Sequence, residues 1–294
     1  MTIKRKEAFW FYVAISPWVL GFLIFTLWPM IYSFYLSFNK WDLFQAPEWV
    51  GLANYVKLVT RDNIFRKAVV NTIYYAGLAI PLSMAASVGI AYLLNKPLRG
   101  MRFFRTLYYI PSLVPAVASS LVFQRLLAPD VGLNQALALV GIDGPAWLLS
   151  AQWVKAGLVI MSLWGVGGGI VLLLAGMQGI PDEYYEAAAL DGANTSQMFF
   201  RITLPMLSPV IFFNLVTGII GALKTFAQVY IMTSGGPNNA SLMIVPYLFD
   251  NAFRFYHMGY ASSIAWILFV LILLLTLLVF RSSSAWVYYE SQVK

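Results

Sequence analysis

Six long apolar runs are the feature that most restricts how this chain of 294 residues can fold. Each approaches or exceeds the roughly 20 residues of helix that cross a hydrocarbon core about 30 Å thick. Together they contain one charged residue, Lys224, and only 11% of the chain is charged, against about 25% in a soluble globular protein. The sequence therefore predicts an all-α integral membrane protein with six transmembrane helices. The runs are 11–38, 68–94, 107–123, 156–177, 206–232 and 261–280.

Basic residues flank these runs unevenly and predict the orientation. Residues 4–6 and the segment 96–105 together carry seven Lys or Arg, with Glu7 as the adjoining acid. Cytoplasmic loops are enriched in Lys and Arg, so both segments should be cytoplasmic. An even number of spans then places the N- and C-termini on the cytoplasmic side. The opposite segment, 39–67, holds five basic residues diluted by three acids, so the bias is moderate.

The acidic residues bear on the energy source. All 12 Asp and Glu lie outside the runs, whereas proton-driven carriers place ionisable carboxylates inside the membrane. An ion-gradient carrier that binds its ion through backbone carbonyls, or a channel, each complete in one chain, stays the alternative. A membrane-embedded enzyme is a weaker one, because no His, Cys or carboxylate cluster lies in the runs, and no catalytic or metal-binding residue is predicted. The basic residues form no stripe, so no nucleic-acid partner is expected.

Residues 178–205, between the fourth and fifth runs, are predicted to form two short helices joined by a tight turn. We call this segment the elbow. Pro181 suits the first helical position, and Glu183 lies at the positive end of the helix dipole. Gly192 can adopt the left-handed conformation that ends a helix. Asn194 and Gln197 have the spacing of a capping box, which would start a second helix.

The surface of this elbow predicts contact with another protein. Residues 187–189 are alanines, which form a low ridge that a second backbone can approach closely. The apolar side chains expected beside it are Tyr184, Tyr185, Met198 and Phe199, and they should not face water unpaired. The alternative is an elbow that rests on lipid headgroups.

Motif spacing separates these alternatives. Glu186-Ala187-Ala188 is followed after three residues by Gly192, after nine more by Ile202, and after one more by Leu204-Pro205. This pattern resembles the EAA-x3-G-x9-I-x-LP signature of the membrane subunits of binding-protein-dependent ABC importers. The segments 50–55, 105–111 and 233–237 are similar to the sugar branch of that family, the maltose and glycerol-phosphate type.

The resemblance implies a domain organisation and a function. Residues 1–294 would form a single importer transmembrane domain, with a core of five helices in 68–281. Within it, residues 179–204 would form a cytoplasmic coupling loop between the fourth and fifth helices. The chain would take up a carbohydrate across a bacterial cytoplasmic (inner) membrane. The residues implied to couple to the ATPase are Glu183, Glu186, Ala187, Ala188, Asp191 and Gly192.

The resemblance also implies partners. They are a second homologous permease, two cytoplasmic ATPase subunits and an extracytoplasmic solute-binding protein, together with the lipid bilayer. The chain itself lacks a nucleotide-binding phosphate loop, because the glycines at 165–169 are not followed by lysine. ATP and Mg²⁺ would be used by the partner ATPase, so this chain would be a translocation subunit that binds no cofactor and is not an enzyme.

The maltose-type relatives place their pocket in segments that correspond to 161–168 and 218–225. By position, the resemblance implies these substrate-binding residues: Trp164, Gly165, Gly168, Gly221, Ala222 and Thr225. Several differ from the pattern of the maltose permease, which points away from maltose and towards a roomier pocket. Lys224 is a further candidate that could meet an anionic solute, or could extend to the headgroups instead.

Overall fold

The computed structural model describes residues 3–288, without the side chains of residues 3–5 and 8. The side chains of Lys4 and Arg5, on which part of the predicted orientation depends, thus lie outside the described part. The described chain is mostly helical, with one antiparallel strand pair, β1 (Asn39–Lys40) and β2 (Glu48–Trp49).

The helices are α1 (Ile3–Phe22), α2 (Trp28–Ser37), α3 (Ala53–Thr60), α4 (Asn63–Asn95), α5 (Met101–Leu113), α6 (Ala116–Leu126), α7 (Leu133–Ala138), α8 (Val154–Trp164), α9 (Gly167–Gln178), α10 (Asp182–Leu190), α11 (Thr195–Met198), α12 (Leu204–Met206), α13 (Ser208–Leu223), α14 (Ala227–Met232), α15 (Ile244–Phe249) and α16 (Met258–Ser283). Wider π-helical turns lie at Leu23–Leu27, Phe199–Thr203 and Asp250–Arg254.

Four helical stretches of the described chain are long and apolar enough to cross a membrane: Phe9–Ser37, Asn63–Asn95, Ser208–Met232 and Met258–Ser283. Two bent pairs, α5 with α6 and α8 with α9, raise the number to as many as six if each pair is one span. The multi-pass helical architecture predicted from the apolar runs is confirmed at this level.

The third predicted run is not a straight helix. Helices α5 and α6 meet at an angle of 100°. Val114, which precedes Pro115, has an extended backbone (ψ 128°). It is extended because the proline ring disfavours the helical conformation of the residue before it. Pro111, four residues earlier, lies inside α5. The break therefore comes at the second proline.

The fourth and fifth runs are also interrupted. Helices α8 and α9 meet at 47°, with Gly165 directly after α8. Helix α13 ends at Leu223, and α14 begins at Ala227. The residues between them include Lys224 and Thr225.

The chain divides into two compact units. In the first, residues 1–62 and 248–267, Tyr55 donates a hydrogen bond to the Ser37 hydroxyl (2.7 Å), and Asn54 donates to the Asn39 carbonyl (3.0 Å). These bonds hold α3 against the end of α2 and against β1.

The second unit comprises residues 63–247 and 268–294, and it contains two buried apolar clusters. The upper cluster includes Phe123, Leu158 and Met243. The lower cluster includes Leu173 and Leu207 and continues into the elbow after α9. The elbow and a cavity lined in part by polar side chains both lie within this unit.

Candidate functional site

The elbow has the helix ends that its sequence predicts. Helix α10 ends in a Schellman motif, in which the Gly192 N–H bonds to the Ala189 carbonyl (3.0 Å) and the Ala193 N–H to the Ala188 carbonyl (2.9 Å). Gly192 has φ +77°, as this motif requires. Pro181 precedes the helix with φ −60° and ψ 136°, one position earlier than expected, because it is the N-cap and Asp182 is the first helical residue.

A capping box follows directly. The Gln197 N–H donates to Asn194 Oδ1 (2.9 Å), and the Asn194 N–H donates to Gln197 Oε1 (2.8 Å). The predicted box is therefore confirmed. Two consecutive end motifs fix the backbone from Ala188 to Gln197, so the segment is a rigid turn.

One side of the elbow is anchored to the helices behind it. The Tyr185 hydroxyl shares a hydrogen bond with the Thr203 hydroxyl (2.9 Å). The Phe199 ring packs edge-on against Tyr92, with centroids 4.7 Å apart. Tyr185 and Phe199, which were expected on the docking surface, therefore face inwards and hold the two arms of the elbow to the lower cluster.

The other side of the elbow is open. The predicted coupling residues Glu183, Glu186, Ala187, Asp191 and Gly192 are all exposed, and Ala188 is half-buried. Beside them stands a residue that the sequence analysis did not single out. Leu190 is 90% exposed, an unusual position for leucine at the tip of an ordered helix. Its place four residues, or about one helical turn, after Glu186 was the available signal.

The second feature is a cavity of about 530 Å³ in the same unit. Its walls come from α4, from the junctions α5–α6 and α8–α9, and from α13 and the start of α14. Five of the seven predicted substrate residues line it: Trp164, Gly165, Gly221, Ala222 and Thr225. Gly168 and Lys224 are exposed and do not line it, and Gly169 takes the place expected for Gly168.

The cavity wall combines apolar and polar side chains and carries no charge. None of its lining residues, all within the described part of the chain, is Asp, Glu, Lys, Arg or His. The polar lining side chains are Tyr75, Ser83, Ser87, Ser112, Ser119, Ser162, Asn214, Thr217, Thr225 and Gln228. Most were not anticipated, although Tyr75, Ser83 and Ser87 recur at multiples of four residues on α4, which places them on one helix face.

Hydrogen bonds within the wall determine which donors and acceptors it offers to a solute. The hydroxyls of Ser112, Ser162 and Thr217 donate to the carbonyls of Tyr109, Val159 and Phe213 (2.7, 2.6 and 2.9 Å). Their oxygens are thereby oriented and keep lone pairs that can accept.

Asn214 supplies a donor on the same wall. Its Nδ2 atom is buried and has no hydrogen-bond partner in the described structure. A buried donor without a partner costs about 1–3 kcal/mol. The wall thus offers oriented acceptors and one unsatisfied donor.

Comparison with known proteins identifies the family. Residues 98–287 match the family of binding-protein-dependent transport system inner membrane components. This segment includes the elbow and most of the cavity wall. The chain belongs to this family, so it is a multi-pass permease component of an ABC importer, and the family inferred from the Glu-Ala-Ala motif is confirmed.

Two relatives from Bacillus subtilis (strain 168) extend the match to almost the whole chain. The probable ABC transporter permease protein YesP is 41% identical over 98% of this chain and 94% of its own length. The arabinooligosaccharides transport system permease protein AraP is 32% identical over 93% of this chain and 88% of its own length.

A solved structure supports the fold. The bacterial alginate ABC transporter, crystallised with a periplasmic protein bound to an alginate pentasaccharide, matches with a TM-score of 0.82. The match covers 95% of both chains at 24% identity, so it bears on the fold alone.

Proposed function

We propose that this chain is the subunit through which an ATP-driven importer carries an uncharged carbohydrate across the membrane. The observation that carries the proposal is the cavity. It combines oriented hydroxyl oxygens, the Asn214 amide donor and the half-exposed Trp164 ring in a space without charges. Sugar hydroxyls need donors and acceptors, and sugar C–H faces pack on aromatic rings.

The names of relatives agree with a saccharide. AraP is named for arabinooligosaccharides, and the structural neighbour carries alginate, an acidic polysaccharide. The lining here argues for a neutral solute, because a buried carboxylate without a counter-charge is strongly disfavoured. Lys224, the residue that could have met an anionic solute, lies outside the cavity lining.

The exposed side of the elbow is the proposed binding site for an ATPase subunit. In this proposal, α10 is the coupling helix, seated in a cleft of a cytoplasmic ATPase through Glu183, Glu186, Ala187, Ala188, Asp191 and Gly192. Two ATPase subunits would hydrolyse ATP with Mg²⁺. Rigidity of the Schellman turn and capping box suits an element that transmits force, because a slack loop would absorb the motion.

The remaining organisation follows from the same proposal. The chain would cross the membrane six times, with both bent pairs counted as spans and both termini cytoplasmic, as one transmembrane domain (1–294) around a five-helix core (68–281). A second permease would complete the translocation path. A solute-binding protein would deliver the saccharide from the opposite side to the elbow.

Reconstitution into liposomes tests this proposal against its alternative. The purified chain alone should exchange no saccharide across the bilayer, with or without an ion gradient. Addition of its partner permease, ATPase and binding protein should give uptake that depends on ATP and prefers neutral oligosaccharides to uronate-containing ones. Solute exchange by the lone chain would instead identify a self-contained carrier or channel.

A preference for uronates in the complete importer would contradict the uncharged solute and leave the importer assignment standing. The two parts of the proposal are therefore tested separately.

A further inference from the structure

A separate pocket of about 490 Å³ lies where α4 ends and α5 begins. Its walls are Asn95, the connecting segment and the first turns of α5, and three of its lining side chains are basic: Lys96, Arg102 and Arg105. A fourth basic residue, Arg99, belongs to the same segment but does not line the pocket. This pocket shares no lining residue with the saccharide cavity.

The positive charge of this pocket is not neutralised by protein. No Asp or Glu occurs in the sequence between Asp62 and Asp130. None of the pocket's three basic side chains forms an ion pair with a carboxylate of the described chain. A group of like charges without a counter-charge is unfavourable unless an anion completes it.

Two of these side chains are held in place. Arg105 is half-buried, and its Nε and Nη2 atoms donate to the Leu94 carbonyl (3.2 and 2.9 Å) near the end of α4. The Lys96 ammonium lies 5.5 Å from the centre of the Tyr92 ring. The charges are therefore positioned in advance, which lowers the entropy cost of binding an anion.

The neighbouring helix places the pocket at the membrane surface. Phe103, Leu107 and Ile110 form an apolar stripe along α5, and each is at least half exposed. No residue of α5 is buried, and Arg102 and Arg105 lie away from the stripe. Basic residues at the start of a helix whose exposed side is apolar are typical of the end of a membrane-spanning helix, at the lipid interface.

We propose that this pocket binds the phosphate headgroup of an anionic phospholipid, whose acyl chains lie against the apolar stripe of α5. Arg102 and Lys96 would contact the phosphate oxygens, and Arg105 would supply further positive charge from its fixed position. Arginine matches phosphate geometry with paired N–H donors. A free phosphate would satisfy the charges but leave the stripe uncovered, so the phospholipid fits both halves of the site.

Native mass spectrometry of the full-length chain from nanodiscs tests the proposal. The nanodiscs contain equal phosphatidylglycerol and phosphatidylcholine, and the lipid that stays bound after detergent release is identified. We expect one phosphatidylglycerol to be retained in preference to phosphatidylcholine. The double variant Lys96→Gln/Arg102→Gln should bind it about 100-fold more weakly, because each lost hydrogen bond to a charged phosphate oxygen is worth roughly tenfold in affinity.

The matched control is Arg99→Gln/Arg281→Gln, which removes the same charge outside the pocket. It should retain phosphatidylglycerol within about threefold of the unmodified chain, because neither residue lines the pocket and detergent release removes lipid that is held only by diffuse attraction. Equal losses in both double variants would overturn the site and leave only diffuse attraction to anionic lipid. Equal retention of both lipids would also overturn it. Competition by inorganic phosphate that fully displaces the lipid would assign the pocket to a free anion instead.

Discussion

Replacing Gly192 with valine should uncouple transport from ATP hydrolysis without preventing membrane insertion. Gly192 has φ +77°, and a Cβ built there meets no atom within 4 Å. The cost of the change is therefore conformational and not steric. A left-handed backbone costs an L-residue about 1–2 kcal/mol, and a β-branched side chain is among the least tolerant.

The conformational cost of the substitution is opposed by only a few hydrogen bonds that hold the native turn. The Schellman turn is closed by the Ala193-to-Ala188 and Gly192-to-Ala189 bonds. A penalty of 1–2 kcal/mol shifts the balance between the native turn and other conformations about 5- to 30-fold. The lower cluster does not include Gly192, so thermal unfolding should change little.

The assay is saccharide uptake and ATP hydrolysis measured together in proteoliposomes that contain the complete importer. Gly192→Val should lower the number of solutes moved per ATP at least fivefold. Gly192→Asn is the matched control, because asparagine tolerates the left-handed region, and it should keep most of the coupling. Full uptake per ATP by the valine variant would refute the role of a rigid turn in force transmission.

Three further predictions follow from the cavity, the helix packing and the elbow. Asn214→Leu removes a buried donor without a partner, so thermal stability should hold or rise. Uptake should fall about tenfold, because the solute loses one hydrogen bond worth about 1.4 kcal/mol; unchanged uptake would contradict a contact between Asn214 and the solute. Gly176→Ala places a Cβ 2.9 Å from Leu207 Cδ2 and should lower the free energy of unfolding by about 1–3 kcal/mol. In the control Gly168→Ala the new Cβ meets no atom within 4 Å, so the protein should not be destabilised; equal melting temperatures of the two variants would show that the helices adjust freely. Leu190→Ser should leave stability within about 0.5 kcal/mol but weaken copurification with the ATPase, and undiminished copurification would remove Leu190 from that interface.

The elbow could be predicted from sequence because its determinants are local. Helix ends depend on residues within a few positions of each other, so Gly192 and the Asn194–Gln197 pair were sufficient. The helix breaks were harder to place. Pro111 and Pro115 are four residues apart, and only packing decides which of them remains inside a helix, because neighbouring helices can satisfy a freed carbonyl.

The cavity was predicted only in part for a different reason. A residue's helix face can be read from spacing, but which face meets an internal space depends on helices far away in sequence. Gly168 and Gly169 are adjacent and chemically identical, yet only Gly169 lines the cavity. A rotation of 100° between successive helical residues separates them, and the resemblance to known permeases had no information at that precision.

The three helix breaks all lie at the cavity, and this common location accounts for both features. Val114 at the α5–α6 break, Gly165 at the α8–α9 break and Thr225 at the α13–α14 break all line the same space. Irregular backbone is tolerated at membrane depth only where it is buried in protein or faces a polar cavity, so three breaks at one cavity are physically consistent with a solute path.

Helix α13 then connects the two functional features. It starts at Ser208, directly after the elbow, and ends at Leu223, beside the cavity. Its 16 residues span about 24 Å at 1.5 Å per residue. A helix that is continuous over this length can transmit a displacement of its elbow end to Gly221 and Ala222, which line the cavity at its other end. If the elbow is the coupling element proposed above, this helix would carry its motion to the cavity without a further mechanical element within this unit.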